Sequence, residues 1–131
     1  MKKIIKVFVV SLMILHLLLF AFSNVYIIKS VSMAPTLQPN DVVFCFPISL
    51  KYKPQKGDIL FFKFNKGDSS LLIKRVWDIT PSDSLYMKGD NEKNSYDSRH
   101  FGYIHKSDII GKPICILYSK RACLHFFKKI K

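Results

Sequence analysis

Residues 58 to 77 read DILFFKF, NKGDSS and LLIKRVW, two apolar runs on either side of a polar segment. Both runs are short and rich in β-branched and aromatic side chains, which favours strands over helices. The polar segment contains Asn65, Gly67 and Asp68, residue types that favour turns. This stretch therefore predicts two β-strands joined by a turn.

The same pattern extends in both directions from this stretch. Further short apolar runs cover 41–46, 85–87 and 114–118, and turn-forming clusters occupy 38–40, 54–57, 81–83 and 88–91. Regular spacing of short strands and turns is typical of an antiparallel β-domain. We therefore predict a mainly β fold, an antiparallel sheet or partly open barrel, preceded by one N-terminal transmembrane helix.

The N-terminal segment differs from the rest of the 131-residue chain. Ile4 to Ile28 is almost unbroken apolar sequence, long enough as a helix to cross a hydrocarbon core of about 30 Å. We expect residues 1–28 to form a membrane anchor and residues 29–131 a single small domain with a basic C-terminal tail. Lys2, Lys3 and Lys6 precede the span, so the positive-inside rule predicts a cytoplasmic N-terminus and an outward-facing domain.

A cleavable secretory signal is the alternative interpretation of this segment. It has a basic start, an apolar centre and the small-x-small sequence Ala21-Phe22-Ser23. The apolar sequence continues through Val25 to Ile28 without a polar break, which favours an uncleaved anchor in the cell membrane.

The chain carries a net charge of +12, and all its acidic residues except Asp41 lie between Asp58 and Asp108. Both ends are therefore basic, which predicts contact with anionic membrane lipid. No basic stripe accompanies a nucleic-acid-binding motif, so we expect no nucleic-acid partner. The tail, 120–131, mixes basic and apolar residues and is either an interfacial segment or a frayed basic end.

Cysteine and histidine usage predicts neither a metal site nor a cofactor. Cys45, Cys115 and Cys123 are an odd set without CxxC spacing or an adjacent histidine cluster. Cysteines in apolar runs are usually small core residues, although an exported domain could oxidise one pair. The sequence does not say which pair that would be.

Serine-based peptide hydrolysis needs a base that is neutral at the working pH. None of the four histidines belongs to a recognisable Ser, His and Asp set. A lysine can serve if burial lowers its pKa. Lys74 lies in a strand-like apolar run, and Arg75 should point to the opposite face. By itself, Lys74 could equally be a solvated cation on a half-buried strand.

The segment Ser32-Met33-Ala34-Pro35-Thr36-Leu37 resembles the nucleophile block of type I signal peptidases and follows directly after the anchor. Three further blocks come in the family's order: Gly57-Asp58-Ile59-Leu60-Phe61, then Ile73-Lys74-Arg75-Val76, and Gly89-Asp90-Asn91 followed by Asn94-Ser95-x-Asp97-Ser98-Arg99-x-Phe101-Gly102. Together the blocks extend the resemblance over residues 1 to 118, which is more specific than any single block.

The resemblance implies a membrane-bound serine endopeptidase that removes signal peptides from exported preproteins. Ser32 would be the nucleophile and Lys74 the general base. The Ser32 backbone N–H and the Ser30 hydroxyl would stabilise the oxyanion. Ser95 would hydrogen-bond the lysine amine, and the pair Asp97 and Arg99 would brace the site.

The resemblance also implies that substrate binds as an added strand beside two shallow apolar pockets for small side chains. Tyr26, Ile28, Leu37 and Ile73 match the lining positions, and Val25 to Ile28 would then begin the first strand. The family's Gly-x-Pro-Gly-Asp continuation of the lysine block is absent, since the chain reads Trp77-Asp78-Ile79-Thr80-Pro81 there. The geometry of this turn is therefore open.

Three other interpretations share parts of this pattern. A conjugative-transfer peptidase that processes pilin-like substrates would use the same dyad, but the Pro35-Thr36-Leu37 continuation favours a general signal peptidase. Self-cleaving repressors carry a DNA-binding domain for which the chain has no room. A catalytically inactive, membrane-tethered module that binds peptides is disfavoured because Ser32, Lys74 and Ser95 are all present.

Overall fold

The protein is described by a computed structural model that covers residues 2–48, 51–64, 70–119 and 128–130. Helix α1 spans Lys2–Ser23. Its first 19 residues, Lys2–Phe20, are long and apolar enough to cross a membrane, and none of this stretch is buried against the rest of the protein. The predicted N-terminal apolar helix is therefore confirmed.

Eight strands follow the helix in the described part of the chain. They are β1 (Val25–Ile27), β2 (Val42–Pro47), β3 (Ile59–Phe64), β4 (Ser70–Ile79), β5 (Ser84–Lys88), β6 (Ile104–His105), β7 (Ile109–Tyr118) and β8 (Lys128–Lys129). A short helix α2 (Ser98–Phe101) and two 3-10 turns, Glu92–Asn94 and Lys106–Asp108, lie between β5 and β7. The short apolar runs thus form strands, as predicted, and β1 begins at Val25.

The strands form one antiparallel sheet in the order β1-β2-β7-β3-β4-β5-β6, with β8 also pairing with β7. Strands β1 and β6 are the ends of this order, so the sheet is open among the described residues. The predicted mainly β, antiparallel fold is confirmed. Pairing of β2 with β7 joins the start of the domain to its end.

Among the described residues, two hydrophobic clusters stabilise the sheet. The first contains Ile28, Met33, Leu37, Val43 and Ile73 among its buried members, and it lies under the segment that follows β1. The second contains Leu60, Phe62, Val76, Leu85 and Met87. Because side chains alternate along a strand, neighbours such as Phe61 and Phe62 contribute to different clusters.

Most of the C-terminal tail, 120–127, lies outside the described residues. Its described end is extended: Lys128 pairs with Ile116 and Lys129 with Cys115. Cys45 and Cys115 are both free, and Cys123 lies outside the described residues. Burial raises the pKa of the Cys45 thiol to about 12, so this cysteine is an unreactive core residue.

Candidate active site

Ser32 and Lys74, far apart in the chain, meet at the start of the domain. Ser32 lies in the turn segment after β1, and Lys74 lies in the middle of β4. The Lys74 Nζ atom donates to the Ser32 Oγ atom over 2.5 Å. Each residue is only 3% exposed. The two predicted catalytic residues are therefore in direct contact and shielded from bulk water.

Burial changes the acid–base behaviour of Lys74. Removal from water disfavours the ammonium and lowers the pKa of Lys74 from 10.5 to about 8, while the negative charge of Asp97 opposes this shift. Among the described residues, Lys74 forms no ion pair within salt-bridge distance. A substantial fraction of its amine is thus neutral in mildly alkaline solution and can accept a proton.

Asp97 and Arg99 form a charged support behind the dyad. The Asp97 carboxylate is fully buried and accepts hydrogen bonds from the Arg99 guanidinium, the Gly89 N–H and the Ser95 hydroxyl at 2.8 to 2.9 Å. Burial alone would raise the pKa of Asp97, but these donors outweigh burial and hold the pKa well below its ordinary range. Asp97 also caps α2 by accepting from the Arg99 backbone N–H.

Ser95 has a different partner from the one the resemblance implies. Its hydroxyl donates to the Asp97 Oδ2 atom over 2.8 Å, and within the described part of the chain it forms no hydrogen bond with Lys74. Ser95 is buried, and Asp97 is close enough to influence the charge of Lys74. A direct hydrogen bond between the lysine amine and Ser95 remains a prediction.

Ser30 lies beside the nucleophile's backbone. The Ser32 N–H donates to the Ser30 Oγ atom over 3.1 Å. The two groups expected to stabilise an oxyanion are therefore adjacent and hydrogen-bonded to each other. A substrate oxygen would have to replace the Ser30 oxygen as acceptor of the Ser32 N–H.

A cleft of about 540 Å³ opens beside the dyad, and we call it the dyad cleft. It is lined by β1 and the residues after it, by one residue of β3 and by the first half of β4: Val25 to Ser30, Ser32, Phe61 and Leu71 to Lys74. Three of the predicted substrate-binding residues, Tyr26, Ile28 and Ile73, line this cleft. The structure does not bring Leu37 there, because its side chain is fully buried in the first hydrophobic cluster.

Sequence reasoning did not assign six of the residues that line the dyad cleft to the site, and these include Phe61 and Leu71. Tyr26 and Phe61 are in contact across the cleft wall, with ring centroids 4.8 Å apart. Their strand positions gave no signal, because an apolar strand residue in the core looks the same in sequence as one that lines a cleft.

Gly89 is a second omission from the sequence-based site. A Cβ atom at this position would lie 2.2 Å from the Ser95 hydroxyl oxygen and 2.5 Å from the Ser32 carbonyl oxygen. Only glycine allows this close approach of the turn after β5 to the nucleophile. The neighbouring Asn91 N–H donates to the same Ser32 carbonyl over 2.9 Å, which fixes the backbone of the nucleophile.

A salt-bridged clamp holds the same turn from the other side. Arg75 donates from two nitrogens to the two oxygens of Asp90, over 2.8 and 2.7 Å, and Thr36 donates to Asp90 over 2.5 Å. A third Arg75 nitrogen donates to the Gly57 carbonyl. Residues from all four sequence blocks thus contact one another around Ser32 and Lys74.

Comparison with known proteins identifies relatives of the chain. Residues 1–81 and 77–118 match the family described as signal peptidase, peptidase S26. The chain is 29% identical to signal peptidase I of Leptolyngbya laminosa, in a match covering 66% of this chain and 64% of the relative. It is 34% identical to mitochondrial inner membrane protease subunit 1 of Mus musculus, over 56% of each chain.

A third relative is signal peptidase I of Bacillus caldolyticus, which is 26% identical over 80% of this chain and 84% of the relative. The chain spans 64% and 56% of the length of the first two relatives. The family match extends from the first residue through β7 and includes every residue of the site described above. On this match, the chain belongs to the signal peptidase family, peptidase S26.

Proposed function

We propose that this chain is a membrane-anchored serine endopeptidase that removes N-terminal signal peptides from exported precursor proteins. One observation carries the proposal: a buried lysine with a lowered pKa contacts a buried serine hydroxyl over 2.5 Å at the wall of an apolar cleft. A serine nucleophile activated by an adjacent neutral base is the arrangement that acyl transfer requires.

The reaction begins with neutral Lys74. Its amine takes the proton of the Ser32 hydroxyl as Oγ attacks the carbonyl carbon of the scissile peptide bond. The ammonium then gives the proton to the departing amine, so the bond to nitrogen breaks and an acyl-serine forms. A water molecule, deprotonated by Lys74, hydrolyses this ester and restores the enzyme.

Two donors stabilise the negative oxygen of the tetrahedral intermediate. The Ser32 N–H already points at an oxygen acceptor, the Ser30 hydroxyl, 3.1 Å away. When a substrate carbonyl takes that place, Ser30 can rotate and donate its own proton to the oxyanion. Removal of one such donor typically slows catalysis by about 10² to 10³, so Ser30→Ala should slow cleavage on this scale.

The charged residues behind the dyad position it and do not contact substrate. The Arg99 guanidinium compensates the buried negative charge of Asp97. Ser95, held by Asp97, lies within reach of the turn that contacts Ser32. We assign Ser95, Asp97 and Arg99 to the positioning of the lysine and the nucleophile.

Apolar side chains in the dyad cleft select the substrate. Tyr26, Ile28 and Ile73 line the wall next to Ser32, and exposed backbone of β1 offers an edge for an added strand. Small substrate side chains fit beside these residues. Larger substrate side chains require the cleft wall to shift, which costs about 1 to 3 kcal/mol of binding free energy. We propose cleavage after small-x-small sequences such as Ala-x-Ala.

The membrane arrangement follows from the anchor. Only Asn24 separates the end of α1 at Ser23 from β1, and β1 lines the dyad cleft. The site therefore lies close to the membrane surface, where the apolar segment of a precursor is still embedded. With Lys2, Lys3 and Lys6 on the cytoplasmic side, the catalytic domain would act on the outer face of the cell membrane.

The proposal is tested with the full chain in detergent or vesicles and a synthetic precursor that carries an Ala-x-Ala site. Mass spectrometry should show a cut directly after the second Ala, and Ser32→Ala should abolish it. Replacement of either Ala by Phe should slow cleavage by about tenfold or more, on the scale of about 1.4 kcal/mol per decade. Equal cleavage of the Ala and Phe precursors would contradict the substrate assignment, and cleavage by Ser32→Ala would contradict the nucleophile.

A further inference from the structure

A second cleft, of about 410 Å³, is lined in part by residues that flank the catalytic pair in sequence. We call it the tryptophan cleft, after Trp77. Its walls come from the nucleophile loop (Pro35 and Thr36), from β4 (Arg75 and Trp77) and from the end of β5 and the turn after it (Lys88 to Asp90, and Glu92). None of these residues lines the dyad cleft.

The same two chain segments pass through both clefts in the same direction. Along β4, residues up to Lys74 line the dyad cleft, and Arg75 and Trp77 line the tryptophan cleft. Along the nucleophile loop, Ser32 lines the first cleft, and Pro35 and Thr36 line the second. Ser32 and Lys74 are therefore the last residues of the dyad cleft along their segments, and residues of the tryptophan cleft follow each of them within three positions.

Gly89 shows how close the second cleft comes to the nucleophile. This residue lines the tryptophan cleft, and a Cβ atom built on it would lie 2.5 Å from the Ser32 carbonyl oxygen. An extended peptide advances by about 3.3 Å per residue. A peptide cleaved at Ser32 with its small residues in the dyad cleft would therefore reach the tryptophan cleft within about two residues after the cut.

Trp77 is presented by an irregularity in the sheet. Val76 pairs with Met87 and Asp78 pairs with Tyr86, which leaves Trp77 unpaired in a β-bulge. Bulges beside active sites redirect side chains. The Trp77 side chain is 59% exposed, and the Lys88 Nζ atom lies 3.9 Å from the centre of its ring. The indole therefore holds the lysine ammonium in place at the wall of the cleft.

The two cations of the tryptophan cleft, Arg75 and Lys88, differ in how readily they can bind a further carboxylate. Arg75 donates four hydrogen bonds, to Asp90, Gly57 and Thr36. Among the described residues Lys88 pairs with Glu92, at 2.9 Å; the Lys88 side chain is 17% exposed and the Glu92 side chain 62% exposed. Because the glutamate end of this pair is open to solvent, Glu92 holds the lysine weakly, and another carboxylate can replace it at small cost.

We infer that the tryptophan cleft binds the substrate segment after the scissile bond and that Lys88, held against Trp77, selects an acidic side chain at the second position after the cut. This inference rests on the proposed function. In an extended chain, the second residue after the cut points to the same side as the first and third residues before it. The side chain that faces Lys88 thus belongs to the same face of the substrate as the two small residues.

The first test compares kcat/KM for three precursors that share the Ala-x-Ala site and differ only in Glu, Gln or Lys at the second position after the cut. Wild type should prefer Glu over Gln by about threefold and Glu over Lys by roughly tenfold, the range of an exposed ion pair. Lys88→Gln should remove the preference, and Lys88→Glu should reverse it. Lys56→Gln is the matched control, since Lys56 pairs with Asp78 outside the cleft and should leave the preference unchanged.

The second test measures binding without catalysis. Trp77 is the only tryptophan in the chain, so its fluorescence reports on this cleft alone. A short product-like peptide that begins Ala-Glu should change the emission of Ser32→Ala enzyme in a saturable way. The Ala-Lys peptide should bind at least threefold more weakly, and Lys88→Gln should bind both peptides equally.

The outcomes separate this inference from the proposed function. Cleavage after Ala-x-Ala with equal rates for Glu, Gln and Lys would overturn the inference and leave the peptidase intact. A fluorescence response without charge preference would overturn it as well. Absence of all precursor cleavage would overturn the proposed function, and the inference would fall with it, even if an acidic peptide changed the fluorescence.

Discussion

Lys74 and Arg75 are adjacent cations on one strand, yet they have opposite environments. Lys74 is 3% exposed, contacts a neutral hydroxyl and has its pKa lowered to about 8. Arg75 lies on the other face, where its hydrogen bonds to the Asp90 carboxylate outweigh partial burial and raise its pKa. The two-residue period of the strand separates a proton acceptor from a permanent charge.

This difference shows how a small sheet can combine reactivity with stability. A buried cation without an acidic hydrogen-bond partner lowers the stability of the fold, and the same burial makes it a base at a usable pH. A cation paired with a carboxylate has no acid–base function at ordinary pH, but it ties β4 to the turn that supports Ser32. Catalysis and bracing therefore depend on different physical properties of neighbouring residues.

The largest expected effect comes from two single variants that exchange lysine for arginine at position 74 and arginine for lysine at position 75. Lys74→Arg should lower kcat/KM by at least about 10³, because a guanidinium has a pKa above 12 and cannot act as the base. Arg75→Lys should retain activity within about tenfold, since it keeps the charge but loses the two-nitrogen contact with Asp90. Steady-state kinetics on the Ala-x-Ala precursor measure both. Comparable losses of kcat/KM in the two variants would contradict the assignment of Lys74 as the base and Arg75 as a structural residue.

The next effect concerns the clamp. Arg75→Met removes the cationic partner of the Asp90 side chain, which is only 15% exposed and keeps its hydrogen bond from Thr36. The variant should lower the free energy of unfolding by roughly 2 to 4 kcal/mol. Lys56→Met is the control, because the Lys56–Asp78 pair is largely exposed and should contribute less than about 1 kcal/mol. Chemical denaturation of both variants makes the comparison. Equal losses would show that the clamp is not structural.

A smaller change in the free energy of unfolding, a gain instead of a loss, is expected when Lys74 is replaced. Lys74→Met should raise the stability of the fold by about 1 to 3 kcal/mol at neutral pH, because it removes a buried charge with similar volume. Between about pH 8 and the ordinary value of 10.5, the unfolded chain binds more protons than the folded chain, so wild-type stability rises with pH. The advantage of Lys74→Met should therefore shrink across this range. A constant advantage would mean that Lys74 is not the group that titrates.

The sequence predicted the parts of the molecule that depend on local pattern. Short β-branched and aromatic runs indicated the strands of the sheet, and the apolar N-terminus indicated α1. Resemblance to the family predicted that Ser32 and Lys74 act together, and their side chains are in contact in the structure. Alternation along β4 predicted that Lys74 and Arg75 would lie on different faces.

The remaining features depend on contacts between distant segments. The need for glycine at position 89 arises from its approach to the Ser32 carbonyl, which no local pattern reveals. Leu37 is apolar whether it lines a cleft or fills the core, and only packing places it in the core. Prediction of the bulge at Trp77 requires the register between β4 and β5. A one-residue shift in that register does not change the amino-acid composition of either strand.

The pH dependence of kcat/KM tests the central claim most directly, namely that buried Lys74 is the base. In the free enzyme, activity should rise with pH as the lysine loses its proton, with a limb at about 8 that is unchanged in His100→Ala. A limb near the ordinary histidine pKa of about 6.5 that disappears in His100→Ala would contradict the lysine assignment.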